Sequence, residues 1–172
     1  KLLAADGSIA HAGQILGLAG PVGTPFAGDT ATARGYMQRL QVAQNWSAVS
    51  RDCLMVRKEV FDSVGGLDEA RFTLGLSDTD LCLRIDRNGY LVVWTPYASL
   101  ILGPDTAVDQ APGTLQVQEA EHEAFYHQWM PKVARDPAYN PALSLGFSSF
   151  SLEPSLRNNW SPFCSRSLPL IL

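Results

Sequence analysis

Gly65-Gly66-Leu67-Asp68-Glu69, then Leu76-Ser77-Asp78-Thr79-Asp80-Leu81-Cys82-Leu83-Arg84 with Gly89-Tyr90 beyond it, is the stretch whose reading decides the fold. Val60, Phe61 and Val64 lie at i, i+1 and i+4, which predicts a short helix over Arg57–Val64. Gly65-Gly66 then falls where a left-handed C-terminal residue sits. Ser77-Asp78-Thr79-Asp80 carries the Ser-x-x-acid pattern of a capped helix start, with Leu81, Cys82 and Ile85 on the inner side and Asn88-Gly89 as the stop. Tyr90–Trp94 is rich in β-formers and ends at Thr95-Pro96, so the segment reads helix, glycine, strand. Asp78 and Asp80 both fall in the first turn, about 200° apart around the axis, and so cannot share one job. One can face a cleft while the other points inward or caps the turn. Either also complements the helix macrodipole, by about 0.3–1 kcal/mol.

Upstream, Leu2–Ala5 and Ser8–Ala12 read as strands joined by a turn at Asp6-Gly7, and Gln14–Ala19 as a further short strand. The prolines and glycines of Gly20–Asp29 predict a loop, Thr32–Val42 a short helical stretch, and Trp46–Val49 and Cys53–Val56 buried extended segments. Downstream, Ile101–Gly113 reads as a long loop. Gln116–Val133 reads as the longest helix, its inner face marked by Ala120, Ala124, Phe125 and Trp129 and broken at Pro131. Pro141, Pro154, Pro162 and Pro169 make the end an irregular arm or linker, so the chain divides into 1–150 and a tail over 151–172.

The 172 residues and 18.7 kDa fit one domain and exclude two. Charged residues are 17%, against an ordinary value of about 25%, while hydrophobic residues are 46%, which argues against long disorder or a coiled coil. A net charge of −4 and a pI near 5.3 lack the basic excess of a nucleic-acid binder. Cys53, Cys82 and Cys164 are odd in number and widely spaced, encoding neither a disulfide framework nor a zinc site. Cys53 and Cys82 read as core thiols. A reducing, cytoplasmic setting follows, at the inner face of the membrane or free of it. No apolar run reaches the roughly 18 residues of a membrane span, and the chain opens on Lys-Leu-Leu without an initiator Met, as an excised piece does.

Cys53-Leu54-Met55-Val56-Arg57-Lys58-Glu59-Val60-Phe61, Val64–Glu69, Asp78–Arg84 and Gly89-Tyr90 together resemble, in order and spacing, the second half of the family 2 glycosyltransferases. These are inverting enzymes of GT-A fold. Asp6–Gly13 and Asp136-Pro137-Ala138-Tyr139-Asn140-Pro141 are similar to stretches of bacterial members that build surface polysaccharides. The resemblance covers about residues 1–150. It implies an α/β, partial GT-A fold: a short mixed sheet with flanking helices, forming the acceptor-side part of a domain whose donor-binding half lies outside the chain. Expected partners are a nucleotide-diphosphate sugar and a glycan acceptor, with no nucleic acid; a dimer through an exposed strand edge is a further expectation.

The same resemblance places the catalytic base on Asp78, with Asp80 as its structural partner and Arg84 one turn on as an i, i+4 bridge to Asp80. A base that accepts the acceptor hydroxyl proton is what single displacement at a sugar C1 requires. Asp78-Thr79-Asp80 also fits the simple Asp-x-Asp expression for a metal site. That motif ends a buried strand, however, and Leu74-Gly75-Leu76-Ser77 is too short and glycine-broken to be one. Ser77 stands where the family usually has an acid, and Ser99-Leu100-Ile101-Leu102-Gly103 where many members have histidines that complete a metal shell. The divalent metal, Mg or Mn, is therefore expected in the intact enzyme with its ligands mostly outside this chain; Asp105 could substitute as a ligand, though a loop acid is more often just solvated. Trp46, Asp68 and Glu69 are the candidate acceptor-binding residues. His11 reads as structural, and His122 and His127, about 140° apart on one helix, do not share a metal. A non-catalytic relative, keeping the scaffold as an interaction or acceptor-docking module, is the alternative reading.

Overall fold

A hairpin opens the chain, β1 (Leu2–Leu3) against β2 (Ile9–His11), turning at Gly7, whose φ of 83° needs no Cβ. The computed structural model describes residues 1–103, 114–146 and 149–153, with the side chains of 114 and 115 left aside. The described elements then run β3 (Ile15–Leu16), β4 (Val22–Gly23), a 3-10 segment (Tyr36–Gln41), β5 (Gln44–Asn45) and a 3-10 turn (Arg51–Cys53). α1 (Lys58–Ser63), α2 (Ser77–Arg87), β6 (Val93–Trp94), β7 (Leu100–Ile101) and α3 (Thr114–Val133) complete the order. β1 is central in a mixed three-stranded sheet of order β2-β1-β7, antiparallel to β2 and parallel to β7 with Leu2 opposite Leu100. β3 pairs with β4 and β5 with β6 as separate antiparallel ribbons. The architecture is mixed α/β, with a small mixed sheet and few helices.

Two clusters form most of the core. Ile9, Ile15, Leu18, Leu40, Trp46 and Trp94 bury together near the sheets, and Tyr139, Leu143 and Phe150 fold back onto them from beyond α3. Leu16, Phe72, Leu76 and Leu83 pack against Phe125, Trp129 and Val133 of α3. Each fully buried side chain of this size contributes about 1.5–3 kcal/mol. The inner face of α3 is therefore the i, i+4 series Glu121, Phe125, Trp129, Val133, all buried; Ala120 is exposed and lies off it. α3 also continues past Pro131 to Val133, because a proline two residues from the end removes a single helical hydrogen bond.

Several sequence expectations change. Gly20–Asp29 contains the short strand β4, and within Thr32–Val42 only Tyr36–Gln41 is helical, a 3-10 segment in which Met37 and Gln38 take positive φ, 49° and 63°. Cys53 is exposed on its 3-10 turn, not a core thiol, whereas Cys82 is buried. The expected loop over Ile101–Gly113 lies outside the described residues from 104 onward, as do Cys164 and residues 154–172 of the expected tail. No helix among the described residues is long and apolar enough to cross a membrane.

Gly13 fixes how β2 leads into the core. Its φ is 96°, and a Cβ built there would stand 2.6 Å from the Trp46 indole. Gly13→Ala combines left-handed strain with overpacking and is expected to destabilise by about 2–4 kcal/mol. Chemical denaturation measures it, and an unchanged midpoint is the contrary result.

Candidate functional site

α2 begins differently from the capped start that its sequence predicts. Leu76 is the N-cap residue and offers no side-chain bond, so Ser77 is the first helical residue. Its hydroxyl lies 3.5 Å from Arg51 Nη1, at the limit of a hydrogen bond. Asp78 instead accepts one first-turn amide and one amide from outside the helix. Its Oδ1 accepts the Thr79 N–H at 2.7 Å and lies 3.3 Å from the Thr79 hydroxyl, which also reaches Gln14 Oε1 at 3.2 Å. Its Oδ2 accepts the backbone N–H of Arg51 at 2.9 Å. Asp78 is 5% exposed, lying under a 3-10 turn whose own residues Arg51, Asp52 and Cys53 are exposed.

Asp80 points to the other side of the helix, toward α3. It is fully buried; Oδ2 accepts Arg84 Nε at 2.8 Å, and Oδ1 accepts Gln128 Nε2 at 3.0 Å and the Trp129 indole N–H at 2.9 Å. Arg84 makes the i, i+4 bridge and also donates to the Val64 carbonyl before the paired glycines. Gln128 accepts from Arg71 Nη1 at 2.6 Å, and Arg71 Nε donates to Asp68 at 2.6 Å. The Gly-Gly-Leu-Asp-Glu loop and the Asp-Thr-Asp helix are thus one hydrogen-bonded unit closed through α3.

The other sequence-predicted residues are dispersed. Asp68 is tied to Arg71, whose hydrogen bond holds its carboxyl below the usual range, and it serves the loop rather than an open surface. Glu69 is exposed beside it. Trp46 is 3% exposed, against Gly13 and under the Arg39 guanidinium at 4.6 Å, so its indole presents no open stacking face. His11 is half-buried, 3.7 Å from Asp52, and lines a cavity of about 440 Å³ with Ser50, Cys53, Leu54, Cys82 and Trp94. Among the described residues, no group of three His, Cys, Asp or Glu side chains is placed to hold a metal ion, and Asp105 lies outside them.

Sequence reading missed three residues that matter here. Arg51 acts through its backbone, which no side-chain pattern reveals. Asp136 is buried and accepts the Leu16 N–H at 2.6 Å, the Ala138 N–H at 2.7 Å and the Ser47 hydroxyl at 2.5 Å. Burial pushes its carboxyl up, opposed by those hydrogen bonds. Glu121 occupies a position on α3 that helical spacing assigns to the core. Its Oε1 accepts from the backbone of Thr73 and Leu74 and from the Thr73 hydroxyl, and its Oε2 from Gly75. The available signal was an acid in register with Phe125 and Trp129.

Asp80→Ala leaves the Arg84 guanidinium and two further donors buried without their acceptor, and is expected to cost about 3–5 kcal/mol in thermal or denaturant unfolding. A cost below 1 kcal/mol contradicts that role. Burial pushes the Cys82 thiol up to about 11. The associated stability is present below about pH 9, the ordinary thiol value, and is lost as pH rises toward 11. At pH 8 iodoacetamide should label exposed Cys53 and spare Cys82; equal labelling in peptide mapping is the contrary result.

Comparison with known proteins adds the following. The chain is 38% identical over 154 residues to an uncharacterized protein, y4gI, of Sinorhizobium fredii, covering 88% of this chain and 17% of that protein. It is 37% identical over 150 residues to the O-antigen biosynthesis protein RfbC of Myxococcus xanthus, covering 84% of this chain and 11% of the relative. Over 80 residues it is 40% identical to the N-acetylglucosaminyl-diphospho-decaprenol L-rhamnosyltransferase of Mycobacterium tuberculosis, 46% of this chain and 24% of the enzyme. The chain spans less than a quarter of the length of each of these relatives. No family model and no solved structure matches it. The similarity is to proteins named for polysaccharide biosynthesis and for glycosyl transfer.

Proposed function

We propose that this chain is the acceptor-side part of a GT-A glycosyltransferase of family 2, acting in the synthesis of a bacterial polysaccharide by inverting transfer from a nucleotide-diphosphate sugar. Residues 1–150 belong to that domain, with a cytoplasmic active site and a donor-binding half supplied elsewhere in the protein. The observation that carries the reading is the division of labour at the start of α2. Asp80 is committed to α3, while Asp78 faces away from it with a single backbone donor on Oδ2. An oxygen with one amide N–H retains a lone pair for the acceptor hydroxyl proton. As that hydroxyl oxygen bonds to the sugar C1 and the nucleotide diphosphate leaves with the bonding pair, the proton passes to Asp78 Oδ2. The Thr79 and Arg51 amides keep the carboxylate's orientation fixed through the transfer. Ser77, beside the base, takes the place of a second acid without adding charge. Glu69, exposed on the loop that the Asp80 network anchors, is the acceptor-binding candidate with an accessible side chain. The divalent metal of the intact enzyme, Mg or Mn, would take its ligands mostly from outside this chain.

A second reading, a non-catalytic docking module, is favoured by the burial of Asp78 beneath the Arg51–Cys53 turn. Asp78→Asn separates the two. The isosteric amide keeps one acceptor oxygen but cannot take the proton, so turnover of the full-length protein should fall about 10²–10⁴-fold with folding retained. Turnover near wild type assigns the chain to the second reading.

A further inference from the structure

We propose that Glu121 is a positioning residue that sets the place of Asp78 by gripping the loop ahead of α2; this rests on the reading of Asp78 as the base. Three successive backbone amides, of Thr73, Leu74 and Gly75, converge on one carboxylate of α3, joined by the Thr73 hydroxyl at 3.0 Å. Leu76, the next residue, is the N-cap of α2, and its carbonyl accepts the Asp80 N–H at 2.9 Å to begin the helix. Asp78 therefore lies three residues beyond the gripped segment, on the first turn that this segment aims. One helical turn after Glu121, Phe125 packs edge-on against Phe72 with ring centroids 6.1 Å apart, so a single face of α3 holds the loop by backbone and by side chain.

An acid is a costly occupant of such a position. Glu121 is 3% exposed in the same stripe as Phe125, Trp129 and Val133, where an apolar side chain would pack without desolvating a charge. What an apolar residue cannot do is accept amide hydrogens from a segment that belongs to no strand. The carboxylate is thus matched to the loop, and the loop to the start of α2.

The test uses Glu121→Ala and Glu121→Gln, alone and with Asp78→Asn, in the full-length protein. Glu121→Ala should lower kcat about 10²-fold with KM for the donor unchanged, the loss expected when a catalytic group is misplaced by about 1 Å. Glu121→Gln, which keeps one acceptor oxygen, should recover part of it. Because the effect passes through Asp78, adding Glu121→Ala to Asp78→Asn should cause no further loss. Wild-type kcat in a folded Glu121→Ala variant, or a full additional loss in the Asp78→Asn background, overturns the proposal. A readout independent of activity covers the case in which Asp78→Asn itself retains turnover. In Glu121→Gln, faster amide exchange at Thr73–Gly75 together with Arg51, whose N–H reports on Asp78, supports positioning. Faster exchange at the loop with Arg51 unchanged overturns it.

Discussion

Buried carboxylates do in this protein what long β-ladders do elsewhere. Among the described residues the strands are two or three residues long, so much of the interior backbone runs irregularly, and its N–H groups still require acceptors. Asp80, Glu121 and Asp136, each 5% exposed or less, supply them or tie neighbouring side chains together. Asp136 fastens β3 to the segment beyond α3, Glu121 fastens the loop before α2 to α3, and Asp80 fastens α2 itself to α3. A buried acid is costly unless fully supplied with donors, and each of the three receives at least three. The elements that carry the candidate site are therefore positioned by discrete polar contacts, with apolar packing filling the space between them.

The network through Asp80 gives the opening sequence motif a physical meaning. Asp68, Arg71, Gln128, Asp80 and Arg84 form a continuous chain of hydrogen bonds, ending on the Val64 carbonyl. Gly65 and Gly66, at φ 83° and 68°, let the backbone turn sharply after α1 and bring that carbonyl to Arg84. Two pieces of sequence that read separately as a helix stop and a helix start are one structural unit, and a change in either reaches the other.

Much of this was legible in the sequence. Periodicity and glycine placement located α1, α2 and the β1–β2 hairpin, and the 200° separation of Asp78 and Asp80 foretold that they face different neighbours. What remained hidden follows from how sequence patterns encode structure. The Ser-x-x-acid pattern at Ser77 does not specify which residue is the cap, and the helix begins one residue earlier in register, with Leu76 as cap. Trp46, a candidate acceptor-binding residue in the sequence, lies in the core, because the absence of a side chain at Gly13, far away in sequence, makes room for its ring. Apolar residues alone mark the inner face of α3 in the sequence, so Glu121 is passed over there, although its spacing from Phe125 is that of a core position. Arg51 contributes a main-chain amide, a group that every residue except proline carries.

The acids are distinguished less by how many donors they hold than by what must move to reach them. Exposing Asp80 requires separating α2 from α3, which breaks contacts to Gln128 and Trp129 and opens the cluster around Phe72, Leu83, Phe125 and Trp129. Exposing Asp136 requires parting β3 from the chain after α3. Asp78 is covered by the turn Arg51–Cys53, which buries none of its own residues and holds Asp78 Oδ2 by one amide hydrogen bond. Breaking such a bond where water or an acceptor hydroxyl replaces it costs about 0.5–1.5 kcal/mol. Uncovering either of the other two means giving up several buried side chains at about 1.5–3 kcal/mol each. Of these carboxylates Asp78 alone lies beneath a turn whose own residues are exposed and whose backbone gives it one amide hydrogen bond.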